Sequence, residues 1–340
     1  MSSPSDEVPA LAAGSLSLQS RIGTRRLAAV AIRVASCLAL LAAVSVLIFA
    51  GTQLLPGDVA QAILGQQATA SALAAIRADL GFDRPTWIRY LGWAWGVLRG
   101  DLGVSWASGQ PVAEALLPRL TNSLFLAGVT AAVAIPLSVS IGVTAAIFRD
   151  GVIDRVIMAL ARASVALPEF FVGYVLIYVF AVHFGWLDSS ATVYPGMSLA
   201  ERLTAIVLPA MTLVLAVTGH MATMTRAALL NVLSSPFVEM AELKGIPYGR
   251  IVVRHALPNA LAPIISVIAI NLAYLIVGVV VVEVIFVYPG MGQYLVDSVA
   301  KRDVPVVQAA GTIFAAVYIT INALADLAVI VANPRTRLSR

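Results

Sequence analysis

The chain has 340 residues, of which 60% are hydrophobic and 12% charged, with a formal net charge of +4. Globular domains carry about 25% charged residues, so a water-soluble core of this length cannot hide so much apolar surface. The same figures exclude a disordered chain, which is polar and charge-rich, and the small net charge gives no ground for nucleic-acid binding. A single cysteine, Cys37, excludes an intramolecular disulfide scaffold and a cysteine-based metal cluster. What remains is an integral membrane protein with several helical spans.

Residues 1–26, Ser-rich at their start, are expected to form a cytoplasmic tail. Crossing a bilayer takes about 20 apolar residues in a helix, and six runs meet that length: 27–50, 122–148, 155–183, 203–226, 257–288 and 304–332. None alternates with a period of two, which points to a helix bundle and not a barrel. Pro136, Pro168, Pro209 and Pro263 lie in or near these runs, where they are expected to kink helices without ending them. The first run follows Arg21, Arg25 and Arg26 and contains Val34-Ala35-Ser36-Cys37, which is similar to a lipoprotein cleavage box. The order is wrong for cleavage, because the apolar stretch follows the cysteine, so the run reads as an uncleaved span. The expected organisation is a tail at 1–26, a first span at 27–50 and an extracytoplasmic helical loop at 51–121. A membrane core at 122–332 follows, with a coupling loop at 227–256, and then a tail at 333–340. Lys and Arg number twelve on the side of the N-terminus and eight opposite, five of the eight in one long loop. Both termini are therefore expected in the cytoplasm.

The loop at 51–121 holds Trp87, Trp93, Trp95 and Trp106, four of the five tryptophans. Residues 69–80 read as a helix with Ser71 as cap and Gly81 as stop, and 85–98 as a second, aromatic helix. Tryptophan at this density suits a surface against the lipid headgroups; docking of an external partner is compatible with the same residues.

The connection between the fourth and fifth runs contains Ser235-Pro236 and then Glu239, Glu242 and Gly245. Serine, Pro at the first helical position, early acid and a Gly stop predict a short capped helix. Two to three turns are marginal alone in water, so this helix needs something to pack against. Ala241, at its middle, allows a close approach.

These residues resemble the cytoplasmic loop of permeases of ATP-binding-cassette (ABC) importers. Glu239-Met240-Ala241, then Gly245, then the nine residues 246–254, then His255-Ala256-Leu257-Pro258 follow that family's pattern, with Met240 and His255 as departures. His255 with Asn259 is similar to the dipeptide, oligopeptide, nickel and opine branch. Leu55-Pro56-Gly57-Asp58, Asp79-Leu80-Gly81, Arg99-Gly100-Asp101-Leu102-Gly103, Thr225-Arg226-Ala227, Val282-Glu283-Val284-Ile285-Phe286, Pro289-Gly290-Met291-Gly292 and Arg302-Asp303-Val304-Pro305 agree with the same branch. The long loop after the first run resembles that of the first, B-type, permease of such systems. The resemblance implies an all-α polytopic permease of a type I importer in the bacterial inner membrane. It also implies a second permease, one or two ATPase subunits and an extracytoplasmic binding protein as partners. Coupling to the ATPases would fall to Glu239, Ala241, Glu242, Lys244 and Gly245. The only lysines, Lys244 and Lys301, stand in no glycine-rich phosphate loop, so ATP and Mg belong on partner subunits and the chain is not itself an enzyme.

An ionisable group at a span centre costs about 2.5–3.5 kcal/mol on insertion scales, which makes each one a candidate. Glu169, His220 and Arg226 are candidates for the translocation path, Glu169 as an acid that would favour a cationic solute. Its alternative is a buried pair with Arg162. Glu283 and Asp326 read as structural acids, with Arg226 or backbone donors as partners. His183, His220 and His255 stand on separate segments without ligand spacing for zinc. A secondary transporter or channel is the rival on composition, but it would show inverted repeats or an internal ion site. An intramembrane enzyme is weaker, since no nucleophile has a base in reach.

Overall fold

Each of the six runs forms helix, and the boundaries follow local chemistry. A computed structural model describes residues 31–54, 69–79 and 83–332. The expected tails, residues 27–30 of the first run, the Leu55-Pro56-Gly57-Asp58 segment and Leu80-Gly81 lie outside the described residues. Among the described residues, five helices are long and apolar enough to cross a membrane, and a bent helix pair makes a sixth crossing if counted as one span. The described residues contain no strand, only an isolated antiparallel bridge between Val104 and Pro111.

Helix α1 (Ala31–Gln53) is followed by α2 (Ala70–Asp79) and the aromatic α3 (Thr86–Leu98). Helix α4 (Val112–Ile147) starts ten residues earlier than the apolar run, directly after Pro111, and passes through Pro118 and Pro136 unbroken. At 1.5 Å per residue its 36 residues reach about 54 Å, well beyond a hydrocarbon core of about 30 Å.

The run at 155–183 is not one straight span. Helices α5 (Val152–Ala166) and α6 (Glu169–Leu176) meet at 101°, and a π-helical turn, Ile177–His183, continues α6. The break lies at Leu167-Pro168, where Leu167 is extended (φ −83°, ψ 129°) because the proline ring crowds the residue before it out of the helical region.

Helix α7 (Leu199–Ala205) opens with a full capping box between Ser198 and Glu201. Helices α8 (Val207–Leu233) and α9 (Pro236–Leu243) follow. Helix α10 (Tyr248–Ile251) runs through a π-helical turn, Val252–Ala256, into α11 (Leu257–Ile285). The fifth crossing therefore begins at Tyr248, nine residues before the expected start. Helices α12 (Met291–Ala300) and α13 (Val304–Ala332) complete the described residues.

Helix α8 is the hub, packed against α4, α5 and α11. Two glycines make this possible. A Cβ on Gly142 of α4 would stand 2.7 Å from the Ala222 carbonyl oxygen and from Thr225 Cβ on α8, and one on Gly219 of α8 would overlap the Ser164 hydroxyl on α5. Small residues at crossings let backbones touch, which is how helices gain contact in lipid, where apolar burial alone gives little. Leu126, Leu213, Met221, Val279, Val282 and Phe286 fill the core between α4, α8 and α11. Helix α1 is peripheral. It meets α13 through Ile48 at Gly311, through Gln308 donating to Thr52 at 2.8 Å, and through the ion pair of Arg33 with Asp326.

Candidate coupling surface and intramembrane polar groups

Helix α9 starts at Pro236 after an extended Ser235 (φ −86°, ψ 150°). The Ser235 hydroxyl does not cap it, donating instead to the Val232 carbonyl at 2.5 Å. The early amides of Val238 and Glu239 bond the Ser235 carbonyl at 3.0 and 3.4 Å. Gly245 ends the helix in the left-handed region (φ +73°), with its N–H on Glu242 O at 2.8 Å and Ile246 N–H on Ala241 O at 3.2 Å. Any other residue there would cost about 1 kcal/mol of backbone strain. Val238 is buried and anchors the inner face, while Ala241 is half-buried. Glu239, Glu242 and Lys244 are exposed, and so are Phe237, Met240 and Leu243. These three apolar side chains recur every third residue on one side of a two-turn helix. Reading the loop by its small and charged residues missed them, although their spacing was visible in the sequence.

Arg226, on α8, grips Asp154 on α5 with both ends of its guanidinium: Nε to Oδ1 at 2.7 Å and Nη2 to Oδ2 at 2.6 Å. Asp154 is buried and also accepts the Asp150 N–H at 2.9 Å. Of the partners expected for Glu283 and Asp326, Arg226 serves neither, since it is taken by Asp154 near the α9 end of α8, whereas backbone donors do serve Glu283 at the far end of α11. Asp154 escaped notice because an acid in a first helical turn is ordinary.

Glu283 is fully buried and satisfied from across the α12 end of the bundle. It accepts Ser123 Oγ at 2.5 Å, Gly292 N–H at 2.7 Å and Gln293 N–H at 3.1 Å, while Ser123 Oγ accepts Met291 N–H at 2.8 Å. The carboxylate thus caps the start of α12, the favourable end of a helix for negative charge. A Cβ at Gly290 would overlap it, which accounts for a glycine there. Asn122 ties the same region, donating to Pro289 O at 3.0 Å and accepting Arg202 at 2.9 Å. Asp303 plays a matching part after α12: buried, it accepts the Ser105 hydroxyl and the Trp106 N–H, the latter at 3.0 Å. Asp326 is held by Arg33 of α1.

Glu169 opens α6 at the 101° break. It is half-buried, its Oε1 has no hydrogen-bond partner, and it lies against Gly278 of α11, where an added Cβ would come within 3.0 Å of it. The alternative pair with Arg162 does not form; Arg162 is exposed on α5. His220 Nδ1 lies 3.2 Å from Asn271 Oδ1, and Asn271 donates to Val267 O at 2.8 Å. Asn271 and Gly278, seven residues apart, share a face of α11, so His220 and Glu169 border one polar seam with half-exposed Tyr274 between them. Among the described residues no group of three His, Cys, Asp or Glu side chains could hold a metal ion.

A broken span, a hub helix and a short exposed helix between crossings fit the membrane subunit of a transporter. Residues 138–338 match the family described as binding-protein-dependent transport system inner membrane component, and residues 27–127 match the N-terminal part of such membrane components. The chain belongs to this family: it is the permease subunit of an ABC importer, an inner-membrane component whose ATPase activity sits on separate subunits. It is 36% identical over 305 residues to a probable peptide ABC transporter permease protein of Sinorhizobium fredii, covering 90% of this chain and 97% of that one. It is 35% identical over 294 residues to a glutathione transport system permease protein of Pectobacterium atrosepticum, covering 86% and 94%. A putative peptide transport system permease protein of Brucella abortus is 35% identical over 305 residues, covering 90% and 97%.

Proposed function

We propose that this permease is the B-type partner of a second permease and imports peptides or related small solutes, such as dipeptides, oligopeptides, opines or nickel chelates. An extracytoplasmic binding protein delivers the solute, one or two ATPase subunits holding ATP and Mg drive uptake, and both termini lie in the cytoplasm. The peptide and glutathione transport named for its relatives supports the solute class. The observation that carries the reading is α9, a two-turn helix joining two crossings that presents Phe237, Met240 and Leu243 to the outside. An apolar stripe of that length fits a groove on an ATPase subunit, with Ala241 allowing approach and Glu239, Glu242 and Lys244 setting register.

Closure of the ATPases on ATP would displace α9 and, through α8 and α10, rock the crossings between inward- and outward-facing states. Solute would pass the seam of Glu169 and His220. Arg226, held by Asp154, supports the frame of the path without needing to touch solute. The test is reconstitution with the partner subunits and binding protein. Gly245→Lys or Ala241→Lys is expected to abolish uptake and its stimulation of ATP hydrolysis while basal hydrolysis persists. Unchanged uptake and stimulation in both variants would refute the coupling role.

A further inference from the structure

Helix α3 divides its aromatic residues between two faces. Tyr90 and Trp93 face α1: their rings lie 5.5 and 5.8 Å from that of Phe49, and the Tyr90 hydroxyl is 2.9 Å from that of Ser45. Arg89 adds a bond to Gln53 at 2.6 Å. The other face holds Trp87, Leu91, Trp95 and Leu98, one per turn, exposed by 64%, 55%, 56% and 79%.

We propose that α3 is an interfacial helix whose Trp87, Leu91, Trp95 and Leu98 edge lies in the headgroup and upper acyl layer of the bilayer. Three observations select lipid as the occupant. First, α3 is pinned to the C-terminal turns of α1, at Ser45, Phe49 and Gln53, where that apolar crossing comes to its end. Second, only 6% of the most apolar stretch of α1 is buried within this chain, so the helix to which α3 is fixed presents an open apolar surface along most of its length. Third, the chemistry of the edge is that of an interface: α3 carries no acid, and the Arg99 guanidinium lies 4.6 Å over the Trp95 ring, placing a cation beside the indole at headgroup depth. An edge of two Trp and two Leu facing water would be a patch of the kind soluble surfaces avoid.

The placement has a use. Seven residues after α3, Ser105 and Trp106 are fastened to Asp303 at the start of α13. A helix floating at fixed depth would hold that clip, and with it the rim formed by α12, at a fixed height above the bilayer.

The test uses the complete transporter in lipid nanodiscs, in a Cys37→Ser background, with nitroxide labels on Leu91→Cys and separately on Leu98→Cys. Collision with oxygen reports lipid, and collision with a nickel chelate reports water. The expected result at both positions is an oxygen rate several-fold above the chelate rate, unchanged when the binding protein is added. Equal or greater access to the chelate would overturn the proposal in favour of a water-exposed face. Loss of access to both probes, in the transporter alone or on adding the binding protein, would overturn it in favour of a protein-docking face. The two labels are conservative replacements of exposed leucines, so folding of the chain is not at stake.

Discussion

The two ends of the bundle are built on opposite principles. At the α12 end, the buried carboxylates Glu283 and Asp303 each accept two or more donors from distant segments, and Asn122 ties Arg202 to Pro289. At the α9 end, one short helix holds on through buried Val238 and leaves Phe237, Met240 and Leu243 uncovered. The first end is complete within one chain. The second leaves an apolar stripe open, which the docking of an ATPase subunit proposed above would cover.

Removing a buried polar fastening should therefore cost far more than trimming the uncovered face of α9. Glu283→Ala strands the amides of Gly292 and Gln293 and the Ser123 hydroxyl in a buried site, and a loss of about 3 kcal/mol is expected from unsatisfied donors. Thermal unfolding of the purified protein in detergent measures it, and a melting point equal to that of the parent would show that the staple holds nothing. Asp154→Asn, which weakens the two-point grip on Arg226, is expected to cost about 2 kcal/mol in the same assay. By contrast, Phe237→Ala with Leu243→Ala should change stability by less than about 0.5 kcal/mol, as for exposed positions in general. The same double variant should lose most of the co-purifying ATPase. A large drop in melting point with the ATPase retained would reverse the contrast between the ends.

The smallest effect concerns acid. Hydrogen bonds from the Ser198 hydroxyl and backbone hold the Glu201 carboxyl below its ordinary value of 4.5. A group whose folded value is depressed stabilises above its unfolded value and loses that contribution as pH falls through the folded one. The capping box of α7 should thus be intact at neutral pH and weaken only in acid below about 4.5. Glu201→Gln should remove this pH dependence, measured as melting temperature against pH.

Much of this fold was legible because lipid imposes a length: any run of about 20 apolar residues must be a crossing. The short helix was legible too, since Pro236 and Gly245 act locally, one by fixing φ and the other by accepting a positive φ. Turning angles were not. Pro136 and Pro168 look alike in sequence, yet α4 continues through the first while the chain bends by 101° at the second. A proline removes one hydrogen bond and crowds one neighbour, and packing decides the rest. Partners of charges were equally hidden. Asp154 stands 72 residues from Arg226, and the amides that satisfy Glu283 lie nine and ten residues on, across the turn at Pro289-Gly290. Glu169 was visible as an acid beside a proline, but its neighbour Gly278 is more than a hundred residues away.

The glycine crossings of α8 have a mechanical consequence. With Gly142 against the Ala222 carbonyl and Gly219 against Ala161 and Ser164, a sideways step of either helix would drive a side chain into a backbone. Packing this close resists sliding, so α4, α5 and α8 are expected to move together as one plate, tied also by Arg226 and Asp154. A hinge would then be expected beyond the plate's edges, at Leu167-Pro168 or in the π-helical turn that joins α10 to α11.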